Sequence, residues 1–386
     1  MNKHETLGQL CAKRYELTCQ RLYDSQFDPI KHKRSVFDSK YIVSHSDNVE
    51  SFVNDVVLNN ETIWNYFDTG DEKWYERTSL EKEYFRSFPD FIEIVKRLPP
   101  MYEYSEHVNA MIACCHDMGL LDRRHDWKSD WGIDPKKTYP YYEGLTGSEI
   151  FSRLVETLRL DWKRNKRQAK VNARAKENKF RYVKYCRYID ALFKKWSVLV
   201  VLRFDLGYKD RDTYNIDIND MQIDLFNMFV NTRNNPLFAF IRGHIVKLEY
   251  GVGRGIHCHV VLFLDGSKRN KSSHVYFAQE MGKYWEDVVT KGRGDYWNVN
   301  ANADHYDELG RGAIGPINCN DADKIKNLKK YVVGYLCKGT QYFRPKEGPK
   351  LRLFRKGDFP DNKPDTKPGR PRKVSKSNAG DPFIPN

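Results

Sequence analysis

The chain has 386 residues, of which 40% are hydrophobic and 14% aromatic, and its 65 Lys and Arg exceed its 52 Asp and Glu to give a net charge of +13. This excess favours a polyanionic partner, nucleic acid before membrane, because each cation that meets a phosphate also releases a counterion. The apolar runs are too short to span a bilayer, and the eight cysteines form no CxxC pair, which argues against a disulfide framework or a zinc site. A polar start without a signal-peptide pattern predicts a cytoplasmic protein with no membrane partner.

Residues 1–160 are predicted to form a helical accessory domain. Apolar side chains recur at three- and four-residue spacing at 49–57 and again at 108–115, which places each set on one face of a helix. Ser105 precedes the second set, where its hydroxyl can cap the first helical turn. The first set consists of Val49, Phe52, Val53, Val56 and Val57.

A strongly basic segment at 161–189 is predicted to be a linker helix. Its core, WKRNKRQAKVNARAKENKFRYVKYCRY, contains a single acidic residue, Glu177. On a helix, three- and four-residue spacing would align four of its cations into a basic stripe that can contact the DNA backbone. These cations are Lys163, Arg167, Lys170 and Arg174. A solvated linker helix is the alternative interpretation.

From 190 to 345 the pattern becomes mixed α and β. The run WSVLVVLRFDL at 196–206 is continuous, β-branched and apolar, which is typical of a buried strand. Two further strands are predicted at 236–250 and 256–266, and the short glycine-rich loop GVGRG between them indicates a hairpin. Apolar periodicity predicts helices at 217–235, 273–289 and 321–338.

The remaining residues, 346–386, are predicted to be a disordered basic tail, because proline and cations dominate and large apolar side chains are few. Within it, KPGRPRK is similar to the core of an AT-hook, in which Arg370 would enter a narrow A·T minor groove. A chance match is the alternative for so short a motif.

Two histidines lie on the second strand of the hairpin, in GIHCHVVLF. Side chains alternate along a strand, so His257 and His259 share one face. If GVGRG is the whole loop, Glu249 lies opposite His257 and points to the same face, provided that the register does not slip by one residue. Two imidazoles and a carboxylate suit a divalent cation that handles phosphate, Mg²⁺ or Mn²⁺. The alternative is the polar outer face of an ordinary strand.

The helix predicted at 321–338 contains the pattern YxxxYxxK. Tyr331 and Tyr335 are four residues apart and are expected on one helical face, with Lys338 on nearly the same face. Tyrosine hydroxyls beside a cation suggest nucleophiles, since a nearby ammonium or bound metal favours the phenolate. Two partly buried tyrosines that reach the solvent are the alternative.

An apolar strand, a Glu-bearing hairpin with His-x-His and a YxxxYxxK helix follow one another over residues 190–345. This order resembles the HUH endonuclease superfamily, and within it the rolling-circle replication initiators of phages and prophages, of the filamentous-phage-like type. The resemblance implies an α+β fold in which an antiparallel sheet is flanked by helices. It also implies that His257, His259 and Glu249 bind Mg²⁺ or Mn²⁺, and that Tyr331, Tyr335 and Lys338 are catalytic.

The activity implied by the resemblance is nicking and joining of single-stranded DNA through a covalent 5′-phosphotyrosine intermediate, to initiate rolling-circle replication in a bacterial host cell. No GxxxxGK[ST] motif is present, so a host helicase and a host DNA polymerase are expected partners. An HUH-type transposase or relaxase would use the same chemistry. A non-catalytic DNA-binding regulator and an RNA-binding protein are alternatives of a different class.

Overall fold

The computed structural model describes residues 35–59, 64–68, 73–98, 102–122, 125–132, 134–209, 216, 218–230, 235–251, 255–268, 273–338, 344–345 and 353–361. The chain forms two compact units. The first comprises Met1–Ala173 with Tyr342–Glu347, and the second comprises Arg174–Gln341 with Gly348–Asn386. Among the described helices, none is both long enough and apolar enough to cross a membrane.

The first unit is mostly helical in its described part. Its helices are α1 (Ser35–Leu58), α2 (Ser79–Tyr84), α3 (Phe88–Arg97), α4 (Glu106–Asp117), α5 (Trp127–Asp130) and α6 (Gly147–Arg164). Short antiparallel pairs accompany them: β1 (Trp64–Asp68) with β2 (Lys73–Arg77), β4 (Thr138–Tyr139) with β5 (Leu145–Thr146), and β3 (Tyr102–Glu103) with β11 (Arg344–Pro345).

Two sequence expectations in this unit are confirmed. The predicted apolar face of α1 is inward, with Phe52 and Val53 fully buried. Ser105 caps α4, since its hydroxyl accepts a hydrogen bond from the backbone N–H of Val108 at 3.2 Å. The aromatic rings of Phe52 and Phe91 stack in this core at 4.9 Å between centroids.

The basic segment is not one continuous helix. Helix α6 ends at Arg164, Lys166 adopts a left-handed backbone with φ of 49°, and α7 (Arg167–Lys195) begins anew. The chain's division between the two units falls inside α7, after Ala173. The three- and four-residue spacing therefore does not align the predicted stripe along a single helical axis.

The second unit is built on a six-stranded, wholly antiparallel sheet in the order β10–β6–β8–β7–β12, with β9 paired to β6 as well. Its strands are β6 (Val198–Tyr208), β7 (Ile241–Gly251), β8 (Gly255–Asp265), β9 (Gly294–Asn298), β10 (Gly315–Asn318) and β12 (Phe354–Lys356). The strand expected from 236 starts only at Ile241, because Pro236–Phe238 forms a 3₁₀ turn first.

Helices cover both faces of this sheet. They are α8 (Ile218–Val230), α9 (His274–Tyr284) with a π-helical continuation (Trp285–Val289), α10 (Ala303–Glu308), α11 (Ala322–Asn327), a π-helix (Leu328–Val333) and α12 (Gly334–Cys337). The α+β class with an antiparallel sheet flanked by helices is thus confirmed.

Strand periodicity divides the sheet into two faces with separate cores. One face, with Val201, Val261 and Phe263, packs against α7 and against the π-helix and α12. The opposite face, with Leu202 and Cys258, packs against α8 and α9. His257 and His259 are an even number of residues from Val261 on β8, so their side chains point to the same face of the sheet. They lie at the end of that face, where the apolar core gives way to polar side chains.

Part of the predicted tail is ordered, so the expectation of disorder from 346 onward is wrong for 353–361. Strand β12 adds to the edge of β7, with Phe354 opposite Lys247. The guanidinium Cζ of Arg181 lies 4.0 Å from the centroid of the Phe354 ring. The ring of Phe359 also contacts that of Tyr188, at 5.6 Å between centroids. These aromatic contacts and the hydrogen-bonding edge of β7 stabilise the segment, and local composition reveals neither.

Candidate metal centre

The β7–β8 hairpin has the register that the loop length predicts. Gly251 pairs with Gly255, Tyr250 with Ile256 and Glu249 with His257. Directly opposed residues of an antiparallel pair point to the same face. The hairpin therefore brings Glu249 and the two histidines together, as expected from the sequence.

The three side chains converge on one point. The Nε2 atom of His259 lies 3.0 Å from Oε2 of Glu249, and Nε2 of His257 lies 3.6 Å from the same oxygen. One ligand atom from each residue lies within 4.8 Å of the others. The imidazole rings are perpendicular, with centroids 5.3 Å apart. His259 is 1% exposed, so this group is built into the sheet and is not a set of loose surface side chains.

A fourth residue, Asp205, supports the group from β6 and was not predicted. It lies opposite His259, and its Oδ1 is 2.6 Å from the Nδ1 atom of His259. A carboxylate on one ring nitrogen holds the proton there and leaves the other nitrogen free to bind a metal. Burial alone lowers the pKa of His259, but Asp205 and Glu249 outweigh burial and raise it. The signal in the sequence was an aspartate within the apolar strand run LRFDL.

Lys247 completes the polar cluster and was also not predicted. It lies opposite His259 on β7, is 3% exposed and forms an ion pair with Oε1 of Glu249. Burial alone raises the pKa of Glu249, but Lys247 and His259 overcome this effect and hold the pKa well below its usual range. One carboxylate oxygen therefore faces the lysine, while the other faces both histidines.

These donors fit a hard or borderline divalent cation. Neighbouring ligand atoms in an octahedral shell are about 3 Å apart when each lies about 2.1 Å from the metal. The separations of 3.0 and 3.6 Å from Glu249 Oε2 are near that spacing. Two imidazoles and one carboxylate would leave coordination positions for substrate or water.

Tyr335 lies beside this group. Its ring centroid is 5.3 Å from that of His259, at an interplanar angle of 81°. The ring also lies 5.0 Å from the guanidinium Cζ of Arg203 on β6. A tyrosine, an Arg and a candidate ion site thus meet on one face of the sheet.

Tyr331 has different neighbours. Its ring centroid lies 5.6 Å from Cζ of Arg311 and 4.9 Å from Nζ of Lys330. The helix is π-helical from Leu328 to Val333, and the wider turn changes the relation between positions four apart. The α-helical spacing that predicted one shared face for both tyrosines therefore does not apply through this segment.

Lys338 lies just beyond the helix. Helix α12 ends at Cys337, and Lys338 has extended backbone angles, φ −61° and ψ 132°. The three-residue spacing from Tyr335 therefore does not place Lys338 on the tyrosine face by helical geometry. Its catalytic role stays a prediction.

The predicted DNA-contacting cations differ in accessibility. Lys163 and Arg174 are exposed, and Lys170 is exposed with Nζ 3.9 Å from Glu106. Arg167 is buried, with NH1 3.1 Å from Glu106 and NH2 3.2 Å from Asp161. A guanidinium held by two carboxylates inside the protein is structural, so Arg167 does not belong to an exposed stripe. Arg370 lies outside the described residues.

The chain was compared with protein-family models, with curated proteins and with solved structures, and none of the three comparisons gives a match.

Proposed function

We propose that the second unit is an HUH-type endonuclease that nicks and joins single-stranded DNA to initiate rolling-circle replication. The observation that carries this proposal is the placement of Tyr335 against His259, beside Glu249 and His257. A tyrosine next to a His₂–carboxylate group is suited to attack on a phosphodiester, because the same site can hold the nucleophile and polarise the phosphate.

Mg²⁺ or Mn²⁺ bound by His257, His259 and Glu249 would supply Lewis-acid polarisation of a phosphate oxygen. The protein's own part is to position the ligands. Asp205 keeps the Nε2 atom of His259 directed toward the centre, and Lys247 holds one oxygen of Glu249 away from it. Such support orients ligands before binding and reduces the reorganisation needed during the reaction.

In the cleavage step, the phenolic oxygen of Tyr335 forms a bond to phosphorus and the bond from phosphorus to the 3′ oxygen breaks. The phenol loses its proton to solvent, and the leaving 3′ oxygen gains one. The products are a 5′-phosphotyrosine and a free 3′ hydroxyl, which a host polymerase can extend after a host helicase opens the duplex. Tyr331 would perform the second cleavage, and the reverse of the reaction joins strands.

The charge distribution is compatible with a DNA substrate. The net charge is +13, and the exposed cations Lys163, Lys170 and Arg174 can contact DNA phosphates. Single-stranded DNA is the expected substrate at the nick, because a paired phosphodiester is hard to fit beside a half-buried tyrosine.

The test is formation of a covalent protein–DNA adduct, seen on a denaturing gel. Purified protein is incubated with supercoiled and single-stranded DNA of its own replicon and with Mn²⁺ or Mg²⁺. We expect adduct with wild-type protein and with Tyr331→Phe. We expect less than about 1% of it with Tyr335→Phe and none with the double variant, because a missing nucleophile removes the chemical step. Tyr276→Phe is the matched control, since Tyr276 is exposed on α9.

Three results would refute the proposal. Adduct formation by the double variant would mean that neither tyrosine is the nucleophile, and adduct that persists in EDTA would exclude metal assistance. If wild-type protein bound DNA but formed no adduct on any substrate, the chain would be a non-catalytic DNA-binding protein that keeps this fold.

A further inference from the structure

Arg203 is a buried cation at the centre of the face that carries the candidate metal site. It lies on β6 two residues before Asp205 and opposite Val261. Its backbone N–H donates to Oδ1 of Asn300 at 2.7 Å, which holds this part of the strand in place. Only 9% of the residue is exposed.

The other two buried Arg and Lys side chains of the described residues have carboxylate partners. Arg167 is paired with Asp161 and Glu106, and Lys247 with Glu249. Such pairing is expected, because an isolated charge taken from water is costly unless it is neutralised nearby.

Arg203 differs from both. Within the described ranges, its guanidinium forms no ion pair and no hydrogen bond, and its buried Nε has no acceptor. The aromatic ring that it contacts is that of Tyr335, with Cζ 5.0 Å from the centroid. A guanidinium presents five N–H donors and stays charged at any physiological pH. A buried guanidinium that pairs with no carboxylate of the described ranges is available for an anion from outside the protein.

We propose that Arg203 binds the phosphate on which Tyr335 acts and neutralises the charge that develops on it. This inference rests on the proposed nicking function for the identity of the phosphate, although anion binding by Arg203 is testable without DNA cleavage. Lys247 cannot easily serve instead, because it is already paired with Glu249. Arginine suits the role since its planar fork matches two phosphate oxygens.

A structural role and an anion-binding role predict opposite effects on stability. We compare Arg203→Met with Arg242→Met by thermal unfolding at low phosphate. Arg242 is the matched control, because its NH2 lies 2.9 Å from the buried carboxylate of Asp265. We expect Arg242→Met to lower the Tm, since it leaves Asp265 without its cation. Arg203→Met should keep or raise the Tm, because methionine removes a buried charge that forms no ion pair with a carboxylate of the described residues.

Anion binding is measured next with inorganic phosphate against chloride at matched ionic strength. A ligand that binds only the folded state raises the Tm. We expect phosphate to raise the Tm of wild-type protein and of Arg242→Met, but not that of Arg203→Met.

With labelled single-stranded oligothymidylate, the slope of log Kd against log salt should fall by about 0.7 in Arg203→Met, the change for one lost phosphate contact. Arg203→Lys should restore part of both effects, as a point charge without the fork.

The inference is overturned if Arg203→Met destabilises the protein as strongly as Arg242→Met does, or if phosphate stabilises wild type and Arg203→Met equally or stabilises neither. It is also overturned if wild type forms the covalent adduct and Arg203→Met forms it at the same rate, in which case the nicking function stands. If phosphate binding depends on Arg203 but wild type forms no adduct, the anion site stands and the nicking function fails.

Discussion

We predict that the contact between Asp205 and His259 increases the affinity of the candidate site for a divalent metal ion. The perturbation is replacement of Asp205 by Asn, which retains an acceptor but removes the charge, and by Leu, which removes both. Oδ1 of Asp205 is 2.6 Å from Nδ1 of His259, and both residues are 1% exposed, so water cannot easily replace the lost partner.

Removal of such a supporting carboxylate costs about 10- to 100-fold in metal affinity. This corresponds to about 1.4 to 2.7 kcal/mol of binding free energy. We expect Asp205→Asn near the lower value, because the amide oxygen can still accept from Nδ1. Asp205→Leu should lie near the upper value, because the buried Nδ1–H then has no acceptor and its tautomer is no longer held.

The assay is Mn²⁺ titration, followed by the paramagnetic resonance signal of free Mn²⁺ and by calorimetry. Asp224→Asn is the control, because Asp224 is a buried carboxylate on the opposite face of the sheet, where it accepts from the Tyr208 hydroxyl at 2.8 Å. We expect the control to bind Mn²⁺ as wild type does. Unchanged affinity in folded Asp205→Leu would refute the reasoning, because His259 would then not be a ligand whose orientation Asp205 maintains.

Three further outcomes follow from packing and burial. Arg167→Met should destabilise the protein by about 3 to 5 kcal/mol in urea unfolding, because it leaves two carboxylates without their shared cation, whereas Arg174→Met should leave stability nearly unchanged. Gly243→Ala should cost about 1 to 3 kcal/mol, since an added Cβ would lie 2.5 Å from the hydroxyl of Tyr188; wild-type stability would refute this. Burial lowers the pKa of His244, so at this residue the unfolded chain binds more protons than the folded one as the pH falls through about 6.5, and the contribution of His244 to stability falls with the pH. His244→Gln should therefore lose less stability than wild type between about pH 7.5 and about pH 5.5.

The residues of the hairpin site could be predicted from the sequence because they are brought together by two strands that are adjacent in the chain. A five-residue loop determines which residues pair across the two strands, and the two-residue period of a strand determines which share a face. Glu249, His257 and His259 could therefore be grouped from the sequence alone, and the register confirms it. The helical and strand periods likewise predicted the α+β class and the three long strands β6, β7 and β8, but not the shorter strands β9, β10 and β12 of the same sheet.

Only the tertiary structure brought in residues from other strands and helices. Asp205 is 54 residues from His259, and no local pattern specifies that β6 lies beside β8 with these two positions opposed. No local pattern specifies the contact between Arg203 and the ring of Tyr335 either. The α-helical spacing predicted that Tyr331 and Tyr335 share one helical face, but the segment around Tyr331 is π-helical and the two rings have different neighbours.

Burial accounts for the other places where the structure differs from the sequence prediction. Arg167 has the same charge and spacing as its neighbours in the sequence, yet it is enclosed with Glu106 and Asp161, while Arg174 is exposed. Composition likewise does not show that Phe354 would dock on the edge of β7. Short-range periodicity determined the long strands of the sheet and the hairpin of the site. The packing of strands and helices distant in sequence determined which cations are paired and which tyrosine meets the candidate metal centre, because those contacts depend on where the whole chain runs.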